Sequence, residues 1–340
     1  MADWTGGAGG DETIALTMRL HTLLLMLCGA SLAACGTRPD AGRVPYEAIS
    51  LLDDTLIAPQ LSDSLRGARE RLLTEAQAAY ARDSSADALV WVGRRTAYLG
   101  RYRDAVDAFS AGIARFPEDA RFYRHRGHRY LTLRRLDLAV QDFERAALLI
   151  AGKPDEVEPD GLPNARNTPT STLQSNIWYH LGLAYYLQGD FPNALRAYQQ
   201  CLEVSQNPDM LVATSNWLYL TQRRLNRPTE AARTLASIRR DMDIIENGSY
   251  HRLLLMYKGE VPPDSVLRLS PAGEPSLEDV STAYGVGAWH LVNGRPVEAE
   301  RIFRAVIGGR GQWAAFGYLA AEAELARAPD RAGPGRAAAP

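Results

Sequence analysis

Small and aromatic residues recur in a fixed order along most of this 340-residue chain, at a spacing close to 34 residues. Between 86 and 119, Gly93 stands in a first apolar-periodic segment, Gly100 and Tyr102 mark a turn, and Ala105, Phe109 and Pro117 mark a second segment. The stretch 120–153 follows the same order with Gly127, Tyr130, Leu136, Ala139, Phe143 and Ala146. The fullest copy is 175–208, with Trp178, Leu181, Gly182, Tyr185, Gly189, Phe191, Ala194, Tyr198 and Leu202. Weaker copies occupy 212–244, 245–279 and 280–312, so register starts at 86, 120, 175, 212, 245 and 280 give steps of 34, 55, 37, 33 and 35. A unit this short cannot bury its own apolar face, so its core must come from stacking on its neighbours.

The order of aromatic, Gly, Tyr, Ala, Phe and Pro at this period resembles the tetratricopeptide repeat. The resemblance implies an all-α fold: a right-handed superhelical solenoid of antiparallel helix pairs, with N- and C-terminal capping helices. Small residues such as Gly182 and Ala194 let the two helices of a pair approach closely, while Trp178, Tyr185 and Tyr198 fill the space between pairs. The repeat domain is expected over 61–327, opening on an amphipathic helix that starts at Ser62 or Asp63 and closing on a helix over 313–327. The fifth copy is expected to be distorted, because Asp264 and Arg268 stand where Ala and an aromatic belong. The Ala/Pro/Gly/Arg-rich stretch 328–340 reads as a disordered tail.

Only the second step is anomalous. It contains an insertion, 154–174, whose prolines at 154, 159 and 163 exclude a continued helix. Loops of this length are uncommon inside compact folds unless they serve a function.

The N-terminus carries a different signal. From Met18, Arg19 supplies a positive start, Leu20–Leu32 a short apolar stretch, and Leu32-Ala33-Ala34-Cys35-Gly36 a small-residue processing site. The apolar run is too short to span a bilayer. The segment is similar to a bacterial lipobox, which implies signal cleavage before Cys35, lipidation of that cysteine and an acyl anchor such as palmitate. Asp3, Asp11 and Glu12 place negative charge where an export signal needs positive charge, so Met18 is the expected start and 1–17 a spurious extension. Residues 35–60 then read as lipidated cysteine plus linker. Gly36 in place of Asp points to the outer membrane, facing the periplasm.

The chain's chemistry is sparse. The formal net charge is −2, and near zero once 1–34 are removed, so no nucleic-acid partner is implied. There is no phosphate loop, paired-cysteine metal site, His-Glu-x-x-His or Gly-x-Ser-x-Gly motif, hence no expected catalytic residue, metal or cofactor. Cys201 reads as a buried structural thiol. The most unusual stretch, 121–135, holds six arginines and two histidines without an acidic residue, although only two of the 38 basic residues of the chain are lysines and arginine clusters lose weight accordingly. In the resembled family the first helix of each pair lines a concave groove. That assignment places Trp91, Arg94, Arg124, His125, His128, Asn176, Tyr179, His180 and Asn216 on a partner-binding surface for an extended peptide or anionic group. Asp155, Glu156, Glu158 and Asp160 of the insertion are alternative partners for those arginines. The expected function is a non-enzymatic, membrane-tethered scaffold for a protein or peptide partner in the cell envelope. Such a scaffold predicts an open groove lined by Arg124, Tyr179 and Asn216. The alternative, a small-ligand-binding, metal-binding or hydrolytic protein, predicts that the insertion folds over His125, His128 and His180.

Overall fold

A computed structural model of the chain describes residues 46–267 and 275–328. The expected signal segment, Cys35 and the tail beyond 328 lie outside the described residues. Among the described residues the elements are β1 (Tyr46–Ile49), β2 (Thr55–Ile57) and fourteen α-helices. The helices are α1 (Asp63–Arg82), α2 (Ala86–Tyr98), α3 (Tyr102–Arg115), α4 (Ala120–Thr132), α5 (Leu136–Ile150), α6 (Leu173–Gln188) and α7 (Phe191–Val204). They continue with α8 (Pro208–Arg224), α9 (Pro228–Ala236), α10 (Gly248–Tyr257), α11 (Pro263–Val266), α12 (Leu277–Val292), α13 (Pro296–Gly308) and α14 (Phe316–Arg327). Consecutive helices pack as antiparallel pairs, α2 with α3, α4 with α5, α6 with α7, α8 with α9 and α12 with α13, and α1 covers the exposed side of α2.

Local chemistry sets the boundaries. Ser62, Ser85, Asp119, Thr172, Asn207 and Ser276 each accept a backbone N–H at the start of α1, α2, α4, α6, α8 and α12. These side chains satisfy donors that the first helical turn leaves open. The turns inside the helix pairs are marked by left-handed backbone at Gly100, Arg134, Gly189, Asn226, Gly259 and Gly294. Those positions fall at intervals of 34, 55, 37, 33 and 35, the same steps as the sequence register. Glycine adopts this conformation without a steric penalty. Arg134 does not, and what holds it there is described below.

Within four of these pairs a glycine of the first helix faces an aromatic ring sixteen residues on. A Cβ at Gly127 would lie 3.0 Å from the Phe143 ring, one at Gly182 would lie 2.7 Å from Tyr198, and one at Gly287 would lie 2.6 Å from Phe303. Gly93 against Phe109 is at least as tight. Phe109, Phe143, Tyr198 and Phe303 are accordingly buried, and they join one continuous core running from Ala48 to Leu325. The fifth pair is distorted as expected: α10 has ten residues and α11 only four.

Two expectations need correction. The stretch expected to be linker contains an antiparallel hairpin, β1–β2, with Ala48 and Leu56 buried. Strands of four and three residues next to Pro45 and Pro59 carry too little pattern to stand out in the sequence. The hairpin is fastened from outside: the Glu47 carboxylate accepts the Tyr102 and Arg103 amides at 3.0 and 3.1 Å, and Trp313 Nε1 donates to the Ile57 carbonyl at 2.7 Å. The terminal helix starts at Phe316, after a short 3-10 turn at Arg310–Gln312, rather than at Trp313. It follows α13 in the stack but also reaches back across the superhelix to α6.

Candidate functional site

The first helix of each pair faces the inside of the superhelix, and two segments of the chain come to lie there. One is the insertion. From Ala151 to Thr172 it contains no helix and forms a strap whose two arms are joined by a bridge between Val157 and Thr172. The Thr172–Ser175 capping box and the Asp155 carboxylate, which accepts the Gln174 amide at 3.0 Å, fasten its end to the start of α6. It is also fastened to α2, where Arg95 donates to the Gly161 carbonyl at 2.9 Å and Tyr98 packs so closely that no side chain fits at Gly161, and to Asp243 through Arg166. The strap carries Glu158 inward. Glu158 Oε2 lies 3.0 Å from Arg124 Nε and accepts from Asn176 Nδ2 at 3.1 Å, and its Oε1 lies 3.6 Å from His125 Nε2.

The second segment is α14. The Phe316 ring meets His128 and His180, each at 5.5 Å between centroids, and Tyr179 at 6.3 Å. Further along, Glu324 pairs with Arg224 of α8 at 2.6 Å, and Arg327 Nη1 donates to the Leu187 carbonyl at 2.6 Å.

Between strap and helix remains a cleft of about 830 Å³. Of the nine groove residues expected from sequence, Arg124, His128, Asn176, Tyr179 and His180 line it. Arg94 and His125 sit next door, lining a smaller cavity of about 130 Å³ together with Arg124 and His128. Trp91 and Asn216 line neither. Trp91 carries the guanidinium groups of Arg94 and Arg95 on its ring, at 4.4 and 4.8 Å, and Asn216 is buried in the core. The open groove lined by Arg124, Tyr179 and Asn216 is therefore not what the fold builds, since these three are 7%, 7% and 1% exposed. The reason is tertiary: the strap and α14 cover the surface that a bare helix stack would present. Of the acidic residues weighed as internal partners, Glu158 makes the contact with Arg124, whereas Asp160 approaches Arg94 without forming an ion pair.

The aromatic wall of the cleft is preorganised. Tyr179 Oη accepts from Trp217 Nε1 at 2.8 Å and donates to Tyr250 Oη at 3.2 Å. Tyr250, Ser281 and Phe316 complete the lining from α10, α12 and α14. The repeat pattern did not mark them as site residues, because each lies at least 70 residues along the chain from Tyr179 and the superhelix brings them together.

The histidines here are neutral. Burial, reinforced by the positive charge of Arg124, holds His180 down at about 3, and its Nδ1–H donates to the Asn176 carbonyl at 2.5 Å. Burial likewise holds His125 and His128 well below the ordinary imidazole value. His125 Nδ1 then accepts from Arg124 Nη1 at 3.0 Å. Rings this weakly basic are poor proton acceptors near neutrality. Among the described residues no group of three His, Cys, Asp or Glu side chains could hold a metal ion. Cys201 is fully buried, hydrogen-bonded with Thr214 at 3.2 Å, and burial pushes its thiol up to about 11.

Two family descriptions, both reading tetratricopeptide repeat, match the chain over residues 175–208 and 93–156. It carries tetratricopeptide repeats. The matched segments run through α6–α7 from Ser175 and through α2–α5 from Gly93, and they include three of the glycine–aromatic contacts. Solved structures similar to this repeat protein include a tetratricopeptide repeat protein from Parabacteroides merdae, 13% identical, covering 74% of this chain and 93% of that one at a TM-score of 0.42. YrrB, described as having an unusual peptide-binding site, is 12% identical and covers 68% of this chain and 91% of its own at 0.40. MamA is 14% identical and covers 59% and 99% at 0.39. No curated protein matches. Tetratricopeptide-repeat proteins generally bind protein or peptide partners. Among the described residues no helix is long and apolar enough to cross a membrane.

Proposed function

We propose that this repeat protein is a non-catalytic scaffold, tethered through a lipid on Cys35 to the periplasmic face of the outer membrane, that holds a short segment of an envelope protein in the cleft between strap and terminal helix. The cleft supports this reading best. Its volume of about 830 Å³ suits a few residues of extended chain rather than a whole helix. Its lining joins an apolar wall of Tyr179, His180 and Phe316 to polar groups on Arg124, Asn176 and Ser281, the mixture that recognises a peptide by both side chain and backbone. Because Trp217 and Tyr250 hold Tyr179 in place, little ordering entropy is lost on binding. The lipobox-like segment supports the address.

A substitution that fills the cleft tests the binding site. Ser281→Trp projects a large ring from α12 into it, at a position that is only partly buried. Wild type should recover a partner from envelope membranes, and Ser281→Trp should lose it while melting at the same temperature. Equal recovery by both would overturn the cleft as the binding site. Labelled palmitate should enter the wild-type protein and not Cys35→Ala; labelling of both would overturn the anchor.

A further inference from the structure

The small cavity beside the cleft has an unusual charge balance. About 130 Å³ in volume, it is lined by three guanidinium groups, Arg94 of α2 with Arg124 and Arg129 of α4, and by one carboxylate, Glu158 of the strap. Its other polar groups are the neutral imidazoles of His125 and His128 and the hydroxyl of Tyr98. Buried charges in proteins are ordinarily paired. Here they are not. Among the described residues Arg129 has neither a hydrogen-bond acceptor nor an ion-pair partner, and rests its guanidinium over the Tyr102 ring at 5.3 Å. Arg94 donates one hydrogen bond, 3.4 Å long, to Tyr98 Oη. Arg124 Nε lies within ion-pair distance of Glu158 but is not aligned to donate to it, so this buried donor also lacks a hydrogen bond. Asp160 also lies near Arg94; among the described residues it forms no ion pair, and its buried Oδ2 has no hydrogen-bond partner.

We infer that this cavity is a binding site for a tetrahedral oxyanion of the phosphate class. Three guanidinium forks converge from two helices, whereas one fork already saturates a planar carboxylate. A tetrahedral anion presents oxygens in several directions and can accept from all three. A phosphate group also carries about −1.5 to −2 near neutrality, enough to offset the excess positive charge that Glu158 leaves. Burial and the like charge of Arg124 press Arg129 down to about 10, still protonated at neutral pH and so still a donor. The assignment shares Arg124 with the peptide cleft but is distinguished from it by Arg94 and Arg129, which do not line that cleft.

Calorimetry and thermal unfolding of the full chain with inorganic phosphate, in a buffer free of other oxyanions, test it. Wild type should release heat on titration and melt at a higher temperature. Arg129→Gln and Arg94→Gln should each weaken phosphate by about tenfold to a hundredfold, the worth of a hydrogen bond to a charged group. Glu158→Gln should tighten it, by removing the competing carboxylate. Arg145→Gln, on an exposed ion pair with Glu118, should change nothing. No heat and no stabilisation in wild type would overturn the site, and that result needs no variant to fold. Equal affinity in wild type, Arg129→Gln and Arg94→Gln would overturn it too, as would stabilisation by succinate but not by phosphate. Phosphoserine separates the sources: binding of both ligands supports a phosphorylated group, and binding of inorganic phosphate alone supports the free ion. Loss of the membrane partner in Ser281→Trp with phosphate binding intact would confirm that the two sites are separate.

Discussion

Arg134 and Glu322, 188 residues apart in sequence, meet through two hydrogen bonds of 2.9 Å, from Nε to Oε2 and from Nη2 to Oε1. Their side chains are 3% and 1% exposed. Arg134 also donates to the carbonyls of Thr132 and Trp313, at 2.6 and 2.7 Å. Arg134 holds the left-handed turn position that Gly100 and Gly189 hold in neighbouring pairs. Its strained backbone is thus tied to the terminal helix, and the second pair to the end of the chain.

Removing one partner should leave the other charged and buried. Glu322→Ala is expected to destabilise the protein by about 3–5 kcal/mol, whereas the double replacement Arg134→Met with Glu322→Leu should recover most of that. Urea unfolding midpoints of wild type and the two variants check it. Equal losses in single and double variants would mean that Arg134 matters for its carbonyl contacts alone.

The helix pairs close over glycine. Gly182→Ala places a methyl group about 2.7 Å from the Tyr198 ring, which is itself fully buried and cannot retreat without a shift of α7. A loss of about 1–3 kcal/mol is expected from such overpacking. The same substitution at Gly308, at the end of α13 with nothing within 4 Å of the new Cβ, should be neutral or slightly stabilising. Thermal unfolding of the two variants side by side measures the contrast.

Acid should unfold the protein earlier than its net charge suggests. His125, His128 and His180 are held below the unfolded-chain value of about 6.5, His180 as low as about 3. Unfolded chain therefore binds protons that the folded protein refuses. Stability is full above about pH 6.5 and falls as pH drops below that value, by up to about 1.4 kcal/mol per pH unit for each histidine. Denaturant midpoints between pH 7 and about pH 4 should show the fall, with a shallower slope in His180→Gln. Parallel curves for the two proteins would count against this account.

Cys201 should be inert while the protein is folded. Its thiol is buried, bonded with Thr214 and pushed up to about 11, so little thiolate exists at pH 8 and none is reachable. A thiol reagent such as Ellman's should modify it only at the rate of unfolding, and promptly in denaturant. Fast modification under native conditions would contradict the burial.

The helix pairs were legible in the sequence because their determinants are local. Gly93, Gly127 and Gly182 each face an aromatic ring sixteen residues on, and the turns between recur at Gly100, Gly189 and Gly294. The prolines at 154, 159 and 163 likewise announced a segment without helix. The hairpin at Tyr46–Ile57 was hidden, since Glu47 and Ile57 are held by Tyr102, Arg103 and Trp313 rather than by any pattern of their own. The inside of the superhelix was legible only in part. Sequence placed Arg124, Tyr179 and His180 on one surface, and they do share a cleft. That Glu158 would cover Arg124, that Phe316 would pack on His128 and His180, and that Arg129 would be left without a partner depended on contacts between residues 27 to 188 positions apart. Spacing along the chain determines how a helix pair closes, because its period and its packing are set by neighbours. What fills the inside of the superhelix is decided by where distant segments return, and that depends on the twist accumulated over every pair between them.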